Sequence, residues 1–157
     1  MSQDARCPAC GEGRLVASTI TETREVANLE FASEVAAERC DACGEVFTES
    51  AALERFELGV AAELAMAGAR SGSALRFMRT ALGLRSAELA GILDVRPETY
   101  SRWETGDQEP PVHVMVLVGR IAQDRLDGTS RTIEALQAVG SPRKKMNVTI
   151  QLPPRAA

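Results

Sequence analysis

The sequence Arg79–Pro110, RTALGLRSAELAGILDVRPETYSRWETGDQEP, decides how the second half of this chain is interpreted. Apolar residues recur in it at helical spacing in three short stretches, and Gly83 and Gly106 stand where the first and third helices should stop. Pro97 suits the first position of the third helix, because its missing N–H would have no partner there. The pattern predicts a helix, a second helix, a tight turn and a third helix that reads DNA.

The polar side chains around the third predicted helix are the candidates for contact with DNA. Arg102 can present a two-pronged guanidinium to guanine, and Thr99 can touch a thymine methyl group. Phosphate contacts, which position a protein without reading sequence, suit the hydroxyl and basic groups near the helix starts. The predicted DNA-binding residues are Arg102, Thr99, Arg96, Glu98, Ser101, Ser86 and Arg85. A solvated helix surface is the alternative interpretation for Arg102, Thr99 and Glu98.

All four cysteines of the chain fall into two pairs, Cys7 with Cys10 and Cys40 with Cys43, and glycine follows each pair. Two CxxC pairs have the spacing of a tetrahedral four-thiolate site, and Zn²⁺ suits four soft ligands best. Four protein ligands leave no open position on the ion, so we expect one structural Zn²⁺ per chain. Disulfide bonds and a thioredoxin-like redox pair are the alternatives, which a cytoplasmic location and two matched pairs disfavour.

The charge is distributed unevenly along the chain. Residues 1–69 carry 5 Arg against 13 Asp and Glu, a net charge of −8, whereas residues 70–157 carry 13 Lys and Arg against 9, a net charge of +4. A basic half suits a polyanion, and an acidic half suits a basic protein. The apolar runs are too short for a membrane span, and the polar N-terminus lacks the apolar region of a signal peptide, so we expect a cytoplasmic protein without membrane contact.

The expected fold class combines two parts. The first is an α+β zinc-binding unit of short antiparallel strands plus a helix, with Thr48 as the N-cap and an apolar stripe that packs against the zinc unit. The second is an all-α five-helix domain of the helix-turn-helix type. The predicted division is a zinc-binding domain at 1–67, a linker at 68–73, a DNA-binding and dimerisation domain at 74–140, and a basic tail at 141–157 that contains a possible strand.

Several residues of the DNA-reading stretch resemble the Xre type of helix-turn-helix, the phage-repressor class. They are Arg79, Gly83-Leu84, Glu88-Leu89-Ala90, Val95 and Ser101-Arg102-Trp103-Glu104. The resemblance implies that Arg79 and Glu104 form a structural pair. Two departures bear on affinity: Arg85-Ser86 stand where that family usually has Ser or Thr followed by Gln, and Arg96-Pro97-Glu98 opens the third helix.

The two halves together, CPxCG at Cys7–Gly11, CxxCG at Cys40–Gly44 and the Xre-type stretch, resemble the MqsA family of antitoxins over about residues 7–139. The resemblance implies a zinc half that binds a basic ribonuclease-like toxin. It also implies a C-terminal half that forms a homodimer, binds a palindromic operator and represses its own operon. A stand-alone zinc-containing regulator without a toxin is the alternative. We do not expect an enzyme, because the metal site is saturated and no nucleophile is paired with a base.

Overall fold

The computed structural model of the protein describes residues 6–140, so the basic tail predicted at 141–157 lies outside the described residues. A three-stranded antiparallel sheet in the order β1-β2-β3 comes first, and six helices follow it. The strands are β1 (Leu15–Val26), β2 (Leu29–Cys40) and β3 (Val46–Phe47). The helices are α1 (Ser50–Met66), α2 (Gly72–Ala81), α3 (Ser86–Ile92), α4 (Pro97–Thr105), α5 (Val112–Leu126) and α6 (Arg131–Gly140). The α+β class is confirmed, with α1 beside the sheet and five helices after it.

Strands β1 and β2 form a hairpin of two 12-residue strands, so the prediction of short strands was wrong. Ala27 and Asn28 make the turn with φ of 53° and 62°, and Val26 pairs with Leu29 on either side of it. A two-residue turn with positive φ at both positions matches the twist of the flanking strands and sets their register. The many Ala, Ser and Thr residues on both faces blur the alternation in the sequence, which is why the strand lengths were missed.

Helix α1 connects the sheet to the other helices. Its buried positions include the predicted stripe members Phe56, Val60 and Leu64. Helix α1 packs against β2, as expected for the zinc-binding unit, and packs more extensively against α5. The helix begins at Ser50 with Glu49 as its N-cap, so the expectation of Thr48 as N-cap was wrong. The buried apolar side chains of sheet and helices form one continuous cluster.

The closest approach of α1 to α5 depends on Gly119. A Cβ atom added there would lie 2.6 Å from Ala65 Cβ and 3.4 Å from the Ala62 carbonyl oxygen. The small side chains on α1 and the missing one on α5 therefore let the two helix backbones come together, and large residues at these positions would force them apart.

Helix α2 starts at Gly72, so the predicted linker 68–73 ends inside it. The N-cap is Ser71, whose Oγ accepts a hydrogen bond from the Ala74 N–H at 3.1 Å. A Cβ on Gly72 would overlap the Trp103 carbonyl oxygen, so the start of α2 lies directly on the end of α4. The division of the chain into domains on either side of this segment stays a prediction. Within residues 6–140 no helix is both long and apolar enough to span a bilayer.

The α1–α5 contact generates a stability prediction. The Gly119→Ala variant should lower the free energy of unfolding by about 1 to 3 kcal/mol, because the new methyl group overlaps Ala65 in a packed interior. The measurement is urea unfolding followed by circular dichroism. The matched control is Gly59→Ala in α1, where a Cβ meets nothing within 4 Å, and where better helix propensity should add up to about 1 kcal/mol. Equal stability of the two variants would contradict the close approach.

Candidate metal centre and nucleic-acid interface

The two cysteine pairs sit in turns of nearly the same construction. The Gly11 N–H donates to the Cys7 carbonyl at 2.8 Å, and the Gly44 N–H donates to the Cys40 carbonyl at 3.0 Å. Both glycines leave the turn with positive φ, 72° and 75°, a conformation that glycine adopts without a side-chain clash. The first turn lies just before β1 and the second connects β2 to β3, so the hairpin brings both to the end of the sheet opposite its tight turn.

The four sulfur atoms meet at this end of the sheet. Cys7 Sγ lies 3.8 Å from Cys43 Sγ, Cys10 Sγ lies 3.7 Å from Cys40 Sγ, and all four atoms lie within 4.8 Å of one another. A tetrahedral ion with metal–sulfur bonds of about 2.3 Å requires sulfur–sulfur edges of about 3.8 Å. The thiol positions therefore fit a four-coordinate metal ion. Cys7 and Cys40 are buried, and Cys10 and Cys43 face solvent.

The thiols interact electrostatically in a way that favours a cation between them. Backbone N–H groups of Gly13 and Glu12 lower the pKa of Cys10 to about 6, and the N–H of Cys43 likewise lowers the pKa of Cys40. For Cys43 the backbone N–H of Glu45 lowers the pKa, but the neighbouring Cys40 sulfur and burial outweigh it and raise the pKa to about 12. Ionisation of one thiol thus makes ionisation of its neighbours less favourable, because the thiolates repel one another. A bound metal ion neutralises the thiolates and removes this repulsion.

Two further residues hold the turns together, and sequence reasoning missed both. Asp41 Oδ1 accepts the Arg14 N–H at 2.8 Å, and the Asp41 N–H donates to the Arg14 carbonyl at 3.1 Å. Gly13 is buried where a Cβ would overlap Cys40 Sγ and lie 2.8 Å from Ala42 Cβ. The only sequence signal for Gly13 was its place two residues after Gly11, which does not distinguish a closely packed glycine from one in an open turn.

Helix α4 has the predicted boundaries, and a tight turn connects α3 to it as predicted. Asp94 makes the turn with φ of 54°, and the Val95 N–H donates to the Ala90 carbonyl at 3.0 Å. Pro97 is the first residue of α4, and Gly106 ends the helix in the left-handed conformation with φ of 84°. Tyr100 and Trp103 are buried against the other helices, with their rings in edge contact. The opposite side of α4 is therefore left facing solvent.

The predicted DNA-binding residues fall into three groups in the structure. Arg96, Glu98, Ser101 and Arg102 are exposed at the start and on the free side of α4, and in the described part of the chain no ion pair holds either arginine. Thr99 and Ser86 are half-buried. Arg85 is exposed but contacts Glu88.

Arg85 and Glu88 form the start of α3 in place of the usual hydroxyl cap. Glu88 Oε2 accepts the backbone N–H of Arg85 at 2.7 Å, and its Oε1 accepts from Arg85 Nη2 at 2.8 Å. These hydrogen bonds lower the pKa of Glu88, with the side-chain bond the larger cause. The carboxylate thus satisfies an N–H that the helix leaves free, and its charge suits the helix N-terminus.

The Arg79 guanidinium joins α2, α4 and the turn before α3. Its Nε donates to Glu104 Oε1 at 2.6 Å, its Nη2 to Glu104 Oε2 at 3.3 Å, and its Nη1 to the Leu84 carbonyl at 2.8 Å. The Glu104 side chain is only 8% exposed and that of Arg79 only 18%, so water screens this ion pair weakly. The contact lies where the resemblance to the Xre type implies a structural pair.

Comparison with protein families identifies the chain. A family model described as the antitoxin component of a bacterial toxin-antitoxin system, MqsA, matches residues 5–125. The match includes both cysteine turns, the sheet and helices α1 to α4, and it ends within α5. The chain belongs to this family, which confirms the resemblance seen in the sequence. A comparison with curated proteins found no relative that matches the chain.

The geometry of the two turns predicts that metal retention depends on Gly13. The Gly13→Ala variant should bind its metal about tenfold to hundredfold more weakly, because the methyl group displaces Cys40 Sγ from the tetrahedron. Competition with a coloured chelator measures the loss, and metal analysis should give one ion per wild-type chain. Glu12→Ala, a change in the exposed neighbour, is the control and should retain the metal. Equal retention in both variants would contradict this role of Gly13.

Proposed function

We propose that this member of the MqsA antitoxin family is a sequence-specific DNA-binding repressor that also binds and neutralises a protein toxin. The observation that carries the DNA half of the proposal is the free side of α4. It presents Arg102 and Arg96 without ion-pair partners in the described residues, while the buried side is anchored by Tyr100 and Trp103. On this proposal α3 and α4 form a helix-turn-helix of the Xre type.

DNA reading on this proposal starts from Arg102. Its place in the middle of the exposed side of α4 suits a two-pronged contact with guanine O6 and N7 in the major groove. Thr99 lies at the border between the exposed and buried sides, where a short side chain can reach a base edge only if α4 lies deep in the groove. Arg96 and Ser101 flank this position, and Glu98 adds an acceptor for cytosine while repelling nearby phosphate.

Phosphate contacts are assigned to the start of α3. Ser86 is half-buried beside the first turn of the helix, where a phosphate oxygen meets free backbone N–H groups. Arg85 is 84% exposed, so its contact with Glu88 is screened by water and can be exchanged for a phosphate. The Arg79–Glu104 pair serves this interface indirectly, since it holds α4 in place against α2.

We assign the metal as one structural Zn²⁺ per chain. The support is chemical: the four sulfur atoms lie within 4.8 Å of one another, two of the distances between them are 3.8 and 3.7 Å, and four thiolates brought together in this way suit Zn²⁺. When bound, the ion neutralises the thiolates and closes the open end of the β1–β2 hairpin. Because all four positions are taken by Cys7, Cys10, Cys40 and Cys43, the site leaves no position for a substrate, which supports a regulator and not an enzyme.

The toxin is assigned to the acidic N-terminal half, and we infer that it is a basic ribonuclease-like protein. Residues 1–69 have a net charge of −8, and acidic side chains such as Glu30, Glu34 and Glu63 are exposed on β2 and α1. A basic partner would be attracted to this surface and steered onto it. The proposed DNA-binding helices lie in residues 70–140, where 9 Arg balance 9 Asp and Glu, so the acidic surface and the DNA interface belong to different parts of the chain.

A homodimer on a palindromic operator completes the proposal. Two copies of α4 related by a twofold axis would read half-sites about 34 Å apart. Val112 and Val116 on α5 and Val139 on α6 are exposed, by 55%, 54% and 89%, and give each copy apolar surface for the contact. A stand-alone zinc-containing regulator with no toxin would use the same DNA interface and differs only in the partner of the acidic half.

The DNA interface predicts the effect of one substitution. Arg102→Ala should weaken binding to the operator by about 1 to 3 kcal/mol and relax the preference at one base pair in each half-site. The measurement is fluorescence anisotropy with DNA from immediately upstream of the gene and with variants of that DNA. Arg76→Ala, which removes an exposed arginine of α2, is the matched control. An equal loss on operator and random DNA would make Arg102 a phosphate contact.

The toxin assignment predicts what the neighbouring gene encodes and does. A small basic ribonuclease-like protein encoded beside this chain should arrest growth when expressed alone and should be neutralised by co-expression of this chain. A variant with Glu25→Lys and Glu54→Lys should neutralise it less, because both changes reverse exposed charges on β1 and α1, while operator binding should be unchanged. Absence of such a neighbour, or of any complex with it, would favour the stand-alone regulator.

A further inference from the structure

Strand β2 has an open edge over most of its length. β1 pairs with β2 along one side from Leu29 to Cys40, but on the other side β3 pairs only with Glu38 and Arg39. Among the described residues no strand covers the seven residues from Glu30 to Ala36 on that side. A long open edge offers unpaired N–H and C=O groups to another strand, and folded proteins usually cover or block such edges.

The direction of the free backbone groups follows from the hairpin. The Cys40 N–H donates to the Glu45 carbonyl at 2.9 Å, away from β1, so even-numbered residues of β2 point their backbone groups outward. Ala32, Glu34 and Ala36 therefore present N–H and C=O groups at the open edge. Their side chains are exposed on the outer face of the sheet, whereas Phe31 and Val35 turn inward to α1.

A groove runs beside this edge, between β2, α1 and the end of α5. It has a volume of about 560 Å³, and its lining combines polar side chains such as Arg55 and Glu63 with apolar ones: Phe31 and Val35 of β2, Phe56 and Val60 of α1, and Leu126 of α5. A strand added to the open edge would place every second side chain in the groove, and the others beside Glu30 and Glu34. The edge therefore selects a segment that alternates apolar and polar residues and carries positive charge on the polar side.

The chain itself contains such a segment outside the described residues. Met146–Leu152, MNVTIQL, has apolar residues at the even positions 146, 148, 150 and 152, and polar residues between them. Arg143 and Lys145 precede it at odd positions, so in an extended strand they share a face with the polar residues. The seven residues match the seven-residue open edge. The apolar face matches the groove, and the basic residues match Glu30 and Glu34.

We propose that residues 146–152 of a second copy of this chain pair with the open edge of β2 and place Val148 and Ile150 in the groove. We assign the strand to a second copy because only residues 141–145 link it to α6. So short a linker gives the tail little freedom to turn back onto the edge of its own chain, and short hinges favour exchange of an element between copies. In a dimer each copy would supply the strand that the other copy lacks.

Hydrogen exchange of the purified full-length chain, without DNA or toxin, tests the proposal independently of the proposed function. The amides of residues 32, 34 and 36 should exchange at least about tenfold more slowly than unprotected amides, although no bond within residues 6–140 covers them. Val148→Lys combined with Ile150→Lys should remove this protection. Thr149→Lys combined with Gln151→Lys, which adds the same charge to the polar face, should retain it. The amides of residues 31, 33 and 35, which point towards β1, should be unchanged in both variants.

A mixing experiment identifies which copy supplies the strand. Isotope-labelled Val148→Lys/Ile150→Lys chain, whose groove is intact, is mixed with unlabelled wild-type chain under conditions that exchange subunits. Protection of labelled residues 32, 34 and 36 should return, since the wild-type partner supplies the strand. If the wild-type chain is protected but mixing does not restore protection to the labelled variant, the tail docks on its own chain, and the proposed exchange of strands between two copies is wrong. Absence of protection in wild type, or equal loss in both tail variants, would overturn the docking of residues 146–152 on β2.

Discussion

Much of this structure depends on how closely α1 can approach α5. The two helices meet at Gly119, where a single added carbon would lie 2.6 Å from Ala65 Cβ, and the small residues Ala61 and Ala62 continue the contact on α1. Since α1 also covers the inner face of β2, this contact joins the sheet to the helices in one continuous core. A cysteine-containing sheet of this size has little core of its own, so it packs its apolar side chains against α1, with α2 beside β1.

The end of the sheet that carries the cysteine turns is stabilised in a different way. Beyond Val35 and Ala37 the hairpin buries few apolar side chains, and its last buried groups are the sulfur atoms of Cys7 and Cys40. Four thiols within 4.8 Å of one another resist full ionisation without a cation, as the raised pKa of Cys43 shows. A metal ion that neutralises them contributes to folding directly, because the unfolded chain has no such site. The conformation of the hairpin is therefore constrained by the Ala27–Asn28 turn at one end and by the four cysteine sulfur atoms that meet at the other.

One side of α4 faces solvent because the residues on its other side are buried. Tyr100 and Trp103 are buried, and Arg79 holds Glu104 while also donating to the Leu84 carbonyl. An ion pair with so little exposure is weakly screened, and removing one member would leave the other charge without a partner in a half-buried site. The orientation of α4 therefore depends on contacts made on its buried side. The residues on its exposed side can vary without changing the packing of the helices. At the start of α3 the carboxylate of Glu88 accepts the backbone N–H of Arg85, while Arg85 itself supplies no side-chain cap.

The sequence by itself determined whatever depends on local geometry or on residue chemistry. The boundaries of α4, the left-handed stop at Gly106 and the grouping of four thiols follow from Pro, Gly and Cys, whose chemistry permits few conformations or partners. Only the tertiary structure decided the length of the hairpin, the packing of α1 on α5 and the role of Gly13. In each case the cause is a neighbour that is distant in sequence. The role of an Ala or Thr in a strand, or of a glycine without unusual φ, depends on the atoms that pack against it.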